Sequence, residues 1–317
     1  MKFSVAMCTY NGETFIRQQL QSILQQSLPV DEIVICDDNS KDNTVAIADS
    51  ILKDSGISYK IIVNTPALGV ADNFLKALRY TAGDYVFTCD QDDVWHEDKV
   101  RIFADAIDAS QKELYFSDGI LVDGAGNSLG STIWEALNIT NELASPDPLF
   151  HKLLNHPMVT GAAMAVSRQL IDRVSAIPKN WLHDEWFSIV AALADNAAPI
   201  FQPTFDYRQH GNNVVGVKNR NLFQRVAFWF QLIRKLPALR QSHFEKKQDI
   251  LAIAAHTPYE KRAENALEFW SALHQMTSDT FFARLRTIFR MQRKGYYALF
   301  YTGKRGLIRD LLSCFVR

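Results

Sequence analysis

Asp90-Gln91-Asp92-Asp93 packs three carboxylates into four positions, directly after the apolar run Tyr85-Val86-Phe87. Like charges this close repel and raise one another's pKa unless a cation sits among them. Two other polar clusters follow apolar runs in the same way. Thr9-Tyr10-Asn11-Gly12 follows residues 3–7, and Asp37-Asp38-Asn39-Ser40 follows residues 32–36. Acids cannot bind phosphate directly. They can hold a divalent cation that binds phosphate oxygens, because Mg²⁺ is commonly held by one or two carboxylates plus substrate phosphates. The acidic cluster therefore predicts Mg²⁺ or Mn²⁺, brought together with a nucleotide diphosphate. Each cluster also has a plainer reading. Asp, Asn, Ser and Gly favour turns and helix N-caps, and Ser40 or Asp42 can simply cap the next helix.

Two further stretches carry chemistry. In Trp181-Leu182-His183-Asp184-Glu185-Trp186, Asp184 opens an apolar segment over residues 187–193. It can serve as an N-cap only. A carboxylate at a helix start, beside aromatic walls and a second carboxylate, can also be tuned for proton abstraction. Asp206-Tyr207-Arg208-Gln209-His210-Gly211-Asn212-Asn213 offers an arginine for phosphate and a histidine for metal or phosphate. A lone histidine is more often structural, but Arg208 and His210 share a face of an extended stretch. Neither Gly-x-Gly-x-x-Gly nor Gly-x4-Gly-Lys-Ser/Thr follows the first apolar run, so a dinucleotide fingerprint and a P-loop are not supported.

The elements that must position these groups alternate. Residues 3–7, 32–36, 59–63 and 84–88 read as strands, and 14–27, 42–55, 69–81 and 96–110 read as helices. The strands are continuous apolar runs, the mark of a parallel sheet covered on both faces. Repeated β-α units of this length predict a doubly wound α/β domain, whose ligands bind at the carboxyl ends of the strands. All three polar clusters fall there. From residue 113 the alternation breaks. Residues 114–117 and 119–122 read as short strands around Asp118, and 123–157 as loops and short helices. Residues 158–166 read as a buried strand, with Gly161 marking a close backbone approach to a ligand.

The 317 residues are 47% apolar and 22% charged, ordinary for a globular protein with a sizeable core. Cys8, Cys36, Cys89 and Cys314 form no CxxC pair and read as reduced thiols of a cytoplasmic protein. Neither a signal-peptide pattern nor an apolar run of membrane-spanning length is expected. The net charge of −1 hides an asymmetry. Residues 218–317 carry 19 basic and 7 acidic side chains, net +12, while residues 1–217 carry 15 and 28, net −13. The basic region reads as mainly helical. Residues 221–235 and 281–294 mix bulky apolar and basic side chains, which suits either helices packed with a solvated basic face or peripheral attachment to an anionic membrane. Nothing beside the charge reads as a nucleic-acid motif.

Taken in order, Thr9-Tyr10-Asn11-Gly12, Asp37-Asp38-Asn39-Ser40, Asp90-Gln91-Asp92-Asp93-Val94-Trp95, His183-Asp184-Glu185-Trp186 and residues 207–213 resemble the inverting GT-A glycosyltransferases of family 2. Within that group they resemble the bacterial rhamnosyltransferase-like branch that builds cell-surface polysaccharides. Asn64, Gly69 and Asn73 fall where the family has an Asn-x-Gly-x-Asn-like helix start. The resemblance covers residues 1–216 and implies a GT-A doubly wound mixed sheet with a helical C-terminal extension over 217–317. It implies that Thr9, Tyr10, Asn11, Asp38 and Asn73 line the donor site, with Asp38 at the base. It places Asp90 toward the ribose, Asp92 on the metal, and Asp93 orienting Asp92 or touching the donor sugar. Arg208 would contact the diphosphate and His210 would complete the metal shell. Many members carry Glu-Asp where this chain has His183-Asp184, so Asp184 is taken as the catalytic base with Glu185 as its rival. The implied partners are a dTDP- or UDP-sugar donor and a glycan or lipid-linked glycan acceptor, at the inner face of the cytoplasmic membrane. A nucleotidyltransferase and a non-catalytic sugar-nucleotide binder remain as alternatives.

Overall fold

A computed structural model describes residues 1–209 and 222–315, with side chains from residue 235 onward in the second stretch. The chain divides into two compact units, Met1–Pro146 with Met158–Val217, and Asp147–Pro157 with Lys218–Arg317.

The first unit opens with four β-α repeats: β1 (Phe3–Thr9), α1 (Ile16–Leu24), β2 (Glu32–Asp37), α2 (Thr44–Leu52), β3 (Ser58–Val63), α3 (Val70–Tyr80), β4 (Tyr85–Cys89), then a short β5 (Val94–Trp95) and α4 (Lys99–Ser110). β1 pairs parallel with both β2 and β4, and β2 pairs parallel with β3. Central strands are apolar without alternation because both of their faces are covered. Val5, Ala6 and Met7 of β1 and Ile33, Val34 and Ile35 of β2 are buried, whereas edge strand β3 leaves alternate side chains exposed. α1 turns Ile16, Leu20 and Ile23 inward at helical spacing, and α3 turns Phe74, Leu75 and Leu78 inward.

The rest of this unit and the start of the second are shorter elements: β6 (Leu114–Val122), β7 (Ser128–Thr132), α5 (Ile133–Leu137), α6 (Thr140–Ala144), α7 (Leu149–Leu153), β8 (Met164–Ser167), α8 (Arg168–Arg173), α9 (His183–Leu193) and β9 (Ala197–Arg208). Sheet order among the described residues is β3-β2-β1-β4-β8-β6-β9-β5, with β7 on β6. β8 runs antiparallel to β4 and β6, so the sheet is mixed beyond β4. Three expectations change. The stretch 123–157 holds a strand, β7, besides loops and short helices. Residues 114–122 form one strand. Residues 158–166 are not one strand: Gly161–Ala163 is a 3-10 turn, and β8 starts at Met164.

The second unit is helical, with α7 joined by α10 (Leu222–Ala254), α11 (Glu260–Gln275), α12 (Phe281–Arg293), α13 (Tyr296–Phe300) and α14 (Lys304–Ser313). Phe269, Trp270, Leu273, Met276, Met291 and Phe300 form its core. Within that core Arg240 Nη2 donates to Asp310 Oδ1 at 2.8 Å, and Tyr297 Oη donates to Asp310 Oδ2 at 2.9 Å. No described helix is long and apolar enough to cross a membrane. The four cysteines are free.

Candidate active site

Parallel pairing of β2, β1 and β4 brings their carboxyl ends to one rim, with Thr9 opposite Asp37 and Met7 opposite Cys89. The loops that follow are stitched together by side chains. Thr9 Oγ1 donates to Asp37 Oδ2 at 2.7 Å. The Asn11 N–H donates to Ser40 Oγ at 2.8 Å, and the Lys41 N–H to Asn11 Oδ1 at 2.8 Å. Asn11 takes φ 49°, a left-handed conformation that asparagine tolerates better than most residues. Gln91 clamps the Tyr10 peptide from both sides: its Oε1 accepts from Tyr10 N–H at 2.9 Å and its Nε2 donates to the Tyr10 carbonyl at 3.0 Å. A Cβ at Gly12 would come within 2.1 Å of Gln91 Oε1, so this glycine makes room for the clamp. The Tyr10 ring is exposed at the rim. The plainer reading holds in part: Asp42 turns the chain into α2, whose N-cap is Asn43, while Ser40 caps no helix. Ser40 bonds Asp37 and Asn11, and Asp42 accepts from the Thr44 N–H at 3.0 Å ahead of α2.

Asp38 is buried and ties this rim to the start of α3. Its Oδ1 accepts from Asn64 Nδ2 at 2.9 Å and Leu68 N–H at 2.7 Å, and its Oδ2 from Gly69 N–H at 2.9 Å. Burial works to raise its pKa, but the Leu68, Asn64 and Gly69 donors outweigh it, and the carboxyl ends below its ordinary range. Asn73 is buried behind it. It donates to the Cys36 carbonyl at 2.9 Å and accepts from Asn64 at 2.7 Å, so its side chain braces β2 against α3.

The acidic cluster lies on the loop between β4 and β5. Burial raises Asp90 to about 7, and the neighbouring charges of Asp92 and Asp184 contribute to that rise. Asp93 is raised well above its ordinary value by burial and then by Asp92 and Asp90. Arg208 closes this loop from the end of β9. Its N–H donates to Asp93 Oδ1 at 3.0 Å, its Nε to the Asp92 carbonyl at 2.8 Å, its Nη1 to the Gly124 carbonyl at 3.1 Å and its Nη2 to Gln18 Oε1 at 2.7 Å. The guanidinium also lies over the Phe15 ring, 5.0 Å from its centroid. The resemblance puts Arg208 at the diphosphate. The structure places it as a buried brace instead, its guanidinium aimed at protein oxygens. His210 lies outside the described residues.

Part of the missing positive charge comes from the chain itself. Lys99 is fully buried at the start of α4. Its Nζ donates to the Ala162 carbonyl at 2.9 Å and lies 4.4 Å from the ring centroids of Trp95 and Phe205. Burial pulls its ammonium down to about 8, opposed by nearby Cys89, Asp93 and Asp90. Lysine ordinarily signals a solvated surface, so nothing in the residue pattern puts this one beneath the acids. The clamp made by Gln91 is likewise not foreseen from its place between two acids.

Asp184 and Glu185 open α9 and part company there. Glu185 Oε2 accepts from the Leu182 N–H at 3.1 Å, which is helix capping. Asp184 is half-buried. Its Oδ1 accepts from the Glu185 N–H at 2.8 Å, and burial raises its carboxyl to about 7. Beside it, neutral His183 stacks on Phe74 with centroids 3.8 Å apart, and burial pushes it down to about 3. A Cβ at Gly161 would stand 2.7 Å from His183 Nε2 and 3.6 Å from Asp184 Oδ2. What crowds Gly161 is the pair of side chains that open α9, His183 and Asp184.

The residues fit a divalent cation that arrives with its substrate. Among the described residues no three His, Cys, Asp or Glu side chains form a preformed cage. Mg²⁺ does not need one, since phosphate and water complete its octahedron. The donor chemistry is right: Asp90 and Asp93 are both raised in part by like charge, and buried Asp93 Oδ2 has no hydrogen-bond partner among the described residues.

Comparisons with known proteins agree with this geometry. Residues 4–175 match the model of the family described as Glycosyl transferase family 2. The chain is 30% identical over 225 residues to the dTDP-rhamnosyl transferase RfbG of Shigella flexneri, covering 66% of this chain and 73% of that protein. It is 33% identical over 99 residues to the UDP-Glc:alpha-D-GlcNAc-diphosphoundecaprenol beta-1,3-glucosyltransferase WfgD of Escherichia coli, 31% of this chain and 38% of that one. In structure it resembles residues 1–349 of TarS from S. aureus in complex with UDP-GlcNAc, with a TM-score of 0.60 at 17% identity, over 98% of this chain and 82% of that one. It also resembles the mannosyltransferase PcManGT of Pyrobaculum calidifontis in complex with GDP-Man and Mn²⁺, with a TM-score of 0.54 at 19% identity, over 99% and 86%.

Proposed function

Because the chain belongs to glycosyl transferase family 2 and has a GT-A-like fold, we propose that it transfers a sugar from a nucleotide-diphosphate donor to a surface glycan, with inversion. The observation that carries this reading is the pairing of Asp184 with the acidic loop. A half-buried carboxyl, raised to about 7 by desolvation, lies close enough to Asp90 for its charge to raise Asp90 in turn. A base poised near neutral pH beside a cation-holding cluster is what displacement of a diphosphate requires.

In this mechanism the anomeric C–O bond to the diphosphate breaks, and its electron pair leaves with the diphosphate oxygen. The acceptor oxygen forms the new bond from the opposite face, and its proton passes to the Asp184 carboxylate. Positioned bases of this kind contribute roughly 10² to 10⁴ in rate. Asp92 would hold Mg²⁺ or Mn²⁺, with Asp93 backing it and His210 as the expected further ligand. When bound, the cation neutralises charge on the leaving diphosphate without proton transfer. Asp90 would face the ribose. The rim of Thr9, Tyr10 and Asn11, with Asp38 and Asn73 behind it, would receive the nucleoside. Glu185 caps α9 and so aims Asp184. Likeness to RfbG favours dTDP-rhamnose as donor, and likeness to WfgD favours a lipid-linked acceptor.

The test is a thermal-shift series with dTDP-, UDP- and GDP-sugars, with and without Mn²⁺, followed by nucleoside diphosphate release from the stabilising donor. A ligand at roughly 100 times its Kd stabilises by about 2.7 kcal/mol, so the donor stands out. Asp184→Asn should keep the donor-induced shift and lose turnover. A chain that no sugar nucleotide stabilises, or an Asp184→Asn variant that turns over normally, would refute the reading.

A further inference from the structure

Helices α12 and α14 of the second unit present one exposed face with an unusual composition. On α12 the outward positions are Phe282, Arg286, Phe289, Arg290 and Arg293, one helical stripe, while Ile288 and Met291 point inward. On α14 the outward positions are Lys304, Arg305, Ile308 and Leu312, and the stripe continues to Phe315 just beyond the helix. Phe281, exposed beside the stripe with its ring 5.4 Å from that of Phe282, stands 5.3 Å from the Phe315 ring and so links the two stripes. Phe282 is 80% exposed, Phe315 74% and Phe289 56%. Single exposed apolar side chains are ordinary, but a contiguous group of them marks an interaction surface.

The charge on this face is predominantly positive. α12 carries four arginines and no acid. α14 carries Lys304, Arg305 and Arg309 against a single acid, Asp310, which is fully buried and bonded to Arg240 and Tyr297. Asp310 is thus spent in the core, and Glu268 of α11, bonded to Lys294 and near Arg290, offsets only part of the positive charge outside. Pairing this face with a second copy of itself would set cation against cation. Phe282, Phe289 and Phe315 could each stack on a base, but aliphatic Ile308 and Leu312 between the cations suit acyl chains and not bases, which favours lipid over a nucleic acid. Exposed phenylalanines interleaved with arginines match a lipid surface, where rings enter the acyl boundary and cations meet anionic headgroups.

We infer that the α12–α14 face, with Phe282, Phe289 and Phe315 as its apolar contacts and Arg286, Arg290 and Arg293 as its cations, docks the protein onto an anionic lipid bilayer. This goes beyond the transfer reaction and does not depend on it. The experiment is co-flotation of the full chain with vesicles of phosphatidylcholine alone, or of phosphatidylcholine and phosphatidylglycerol in equal parts, without donor or acceptor. The chain should float with the mixed vesicles and not with the neutral ones. Arg286→Gln/Arg290→Gln/Arg293→Gln should lower the partition coefficient roughly fivefold per cation removed. Phe282→Ser/Phe289→Ser should lower it about tenfold or more, with circular dichroism and donor-induced thermal shift unchanged. Equal flotation with neutral vesicles would overturn the inference, as would flotation unaffected by either variant. So would a dimer on light scattering that Phe282→Ser/Phe289→Ser dissolves, or an oligonucleotide bound through this face while mixed vesicles are ignored.

Discussion

Arg208 and Asp93 meet across 115 positions of sequence, the backbone N–H of Arg208 donating to Asp93 Oδ1 at 3.0 Å. The Arg208 side chain then holds the Asp92 carbonyl at 2.8 Å. Two neighbouring acids are thus fixed from the end of β9, not by their own turn alone. That explains how a loop with three mutually repelling carboxylates keeps one shape. Arg208→Met would leave the Asp92 and Gly124 carbonyls and Gln18 Oε1 without this donor in a buried setting. Each orphaned buried acceptor costs about 1–3 kcal/mol. The expected loss is about 3 kcal/mol or more in urea unfolding. The Mn²⁺-induced thermal shift should weaken as well, because Asp92 is no longer held. Arg208→Lys should recover only part of either, since one ammonium cannot reach three oxygens set out for a planar fork.

Asp184→Asn should separate function from stability. The Asp184 carboxyl titrates near 7 in the folded chain and near 3.8 when free of it. An acid raised in this way stabilises the fold fully at pH below the unfolded value, and that contribution is lost as pH climbs through about 7. At pH above that value the partly desolvated charge is therefore a cost, and the neutral amide removes it. Metal-free Asp184→Asn should melt several degrees above the parent in mildly alkaline buffer, and the gap should close as the buffer is acidified toward the unfolded value. Turnover of the parent should fall as pH drops through about 7. The apparent pKa of that limb belongs to Asp184 and Asp90 together, since each charge raises the other's cost. A melting gap that ignores pH would show that the gain comes from packing.

How much of this was written in the sequence differs by region. β1, β2 and β4 were legible because a central parallel strand must be apolar on both faces, and Phe3–Thr9 and Glu32–Asp37 are. β9 was not, because Pro199 and Pro203 interrupt it and the β6–β9 register shifts between Ser117 and Asp118 to accommodate it. β5 is two residues long, below any periodic signal. The run over 158–166 has the composition of a strand, yet Gly161 bends it so that His183 can close in. In the site, residue type announced the acids. It did not announce what holds them. Arg208 looked like a phosphate ligand because arginine in an extended polar stretch usually is one, and only the fold turns its guanidinium inward. Lys99 carried no signal at all, since the aromatic rings that shelter it come from β5 and β9.

Gly161→Ala tests the close approach between the 3-10 turn and α9. The added methyl would lie 2.7 Å from His183 Nε2. His183 cannot retreat easily, because its ring is stacked on Phe74. Overpacking of this kind costs about 1–3 kcal/mol. Because His183 and Asp184 are adjacent on α9, the displacement should also lower kcat more than it changes the donor KM. His183→Ala opens the space that the methyl needs. The double variant should therefore be more stable than the sum of the single effects predicts, by about 0.5 kcal/mol or more on thermal unfolding, the size of coupling expected of residues in contact. Strict additivity would mean that the turn shifts elsewhere.

Lys99→Met tests whether the buried ammonium acts as a resident counter-charge to the acidic loop. Methionine keeps most of the volume against Trp95 and Phe205 and removes only the charge and the bond to the Ala162 carbonyl. An ammonium close to Asp90 and Asp93 stabilises them without metal and repels an incoming dication. Its removal should therefore make the fold lean more heavily on the cation. Mn²⁺ titration by calorimetry should show affinity tightened about tenfold in Lys99→Met, which is about 1.4 kcal/mol. That is well within the effect of one unit charge near a dication at an effective dielectric of about 20. The Mn²⁺-induced rise in melting temperature should grow in step, while Asp92→Asn should abolish it in either background. If the parent shows no Mn²⁺ response, the metal assignment itself fails. If the parent responds and Lys99→Met responds equally, Lys99 serves only to hold the Ala162 turn, and the balance of charge beneath the acids is set by something else.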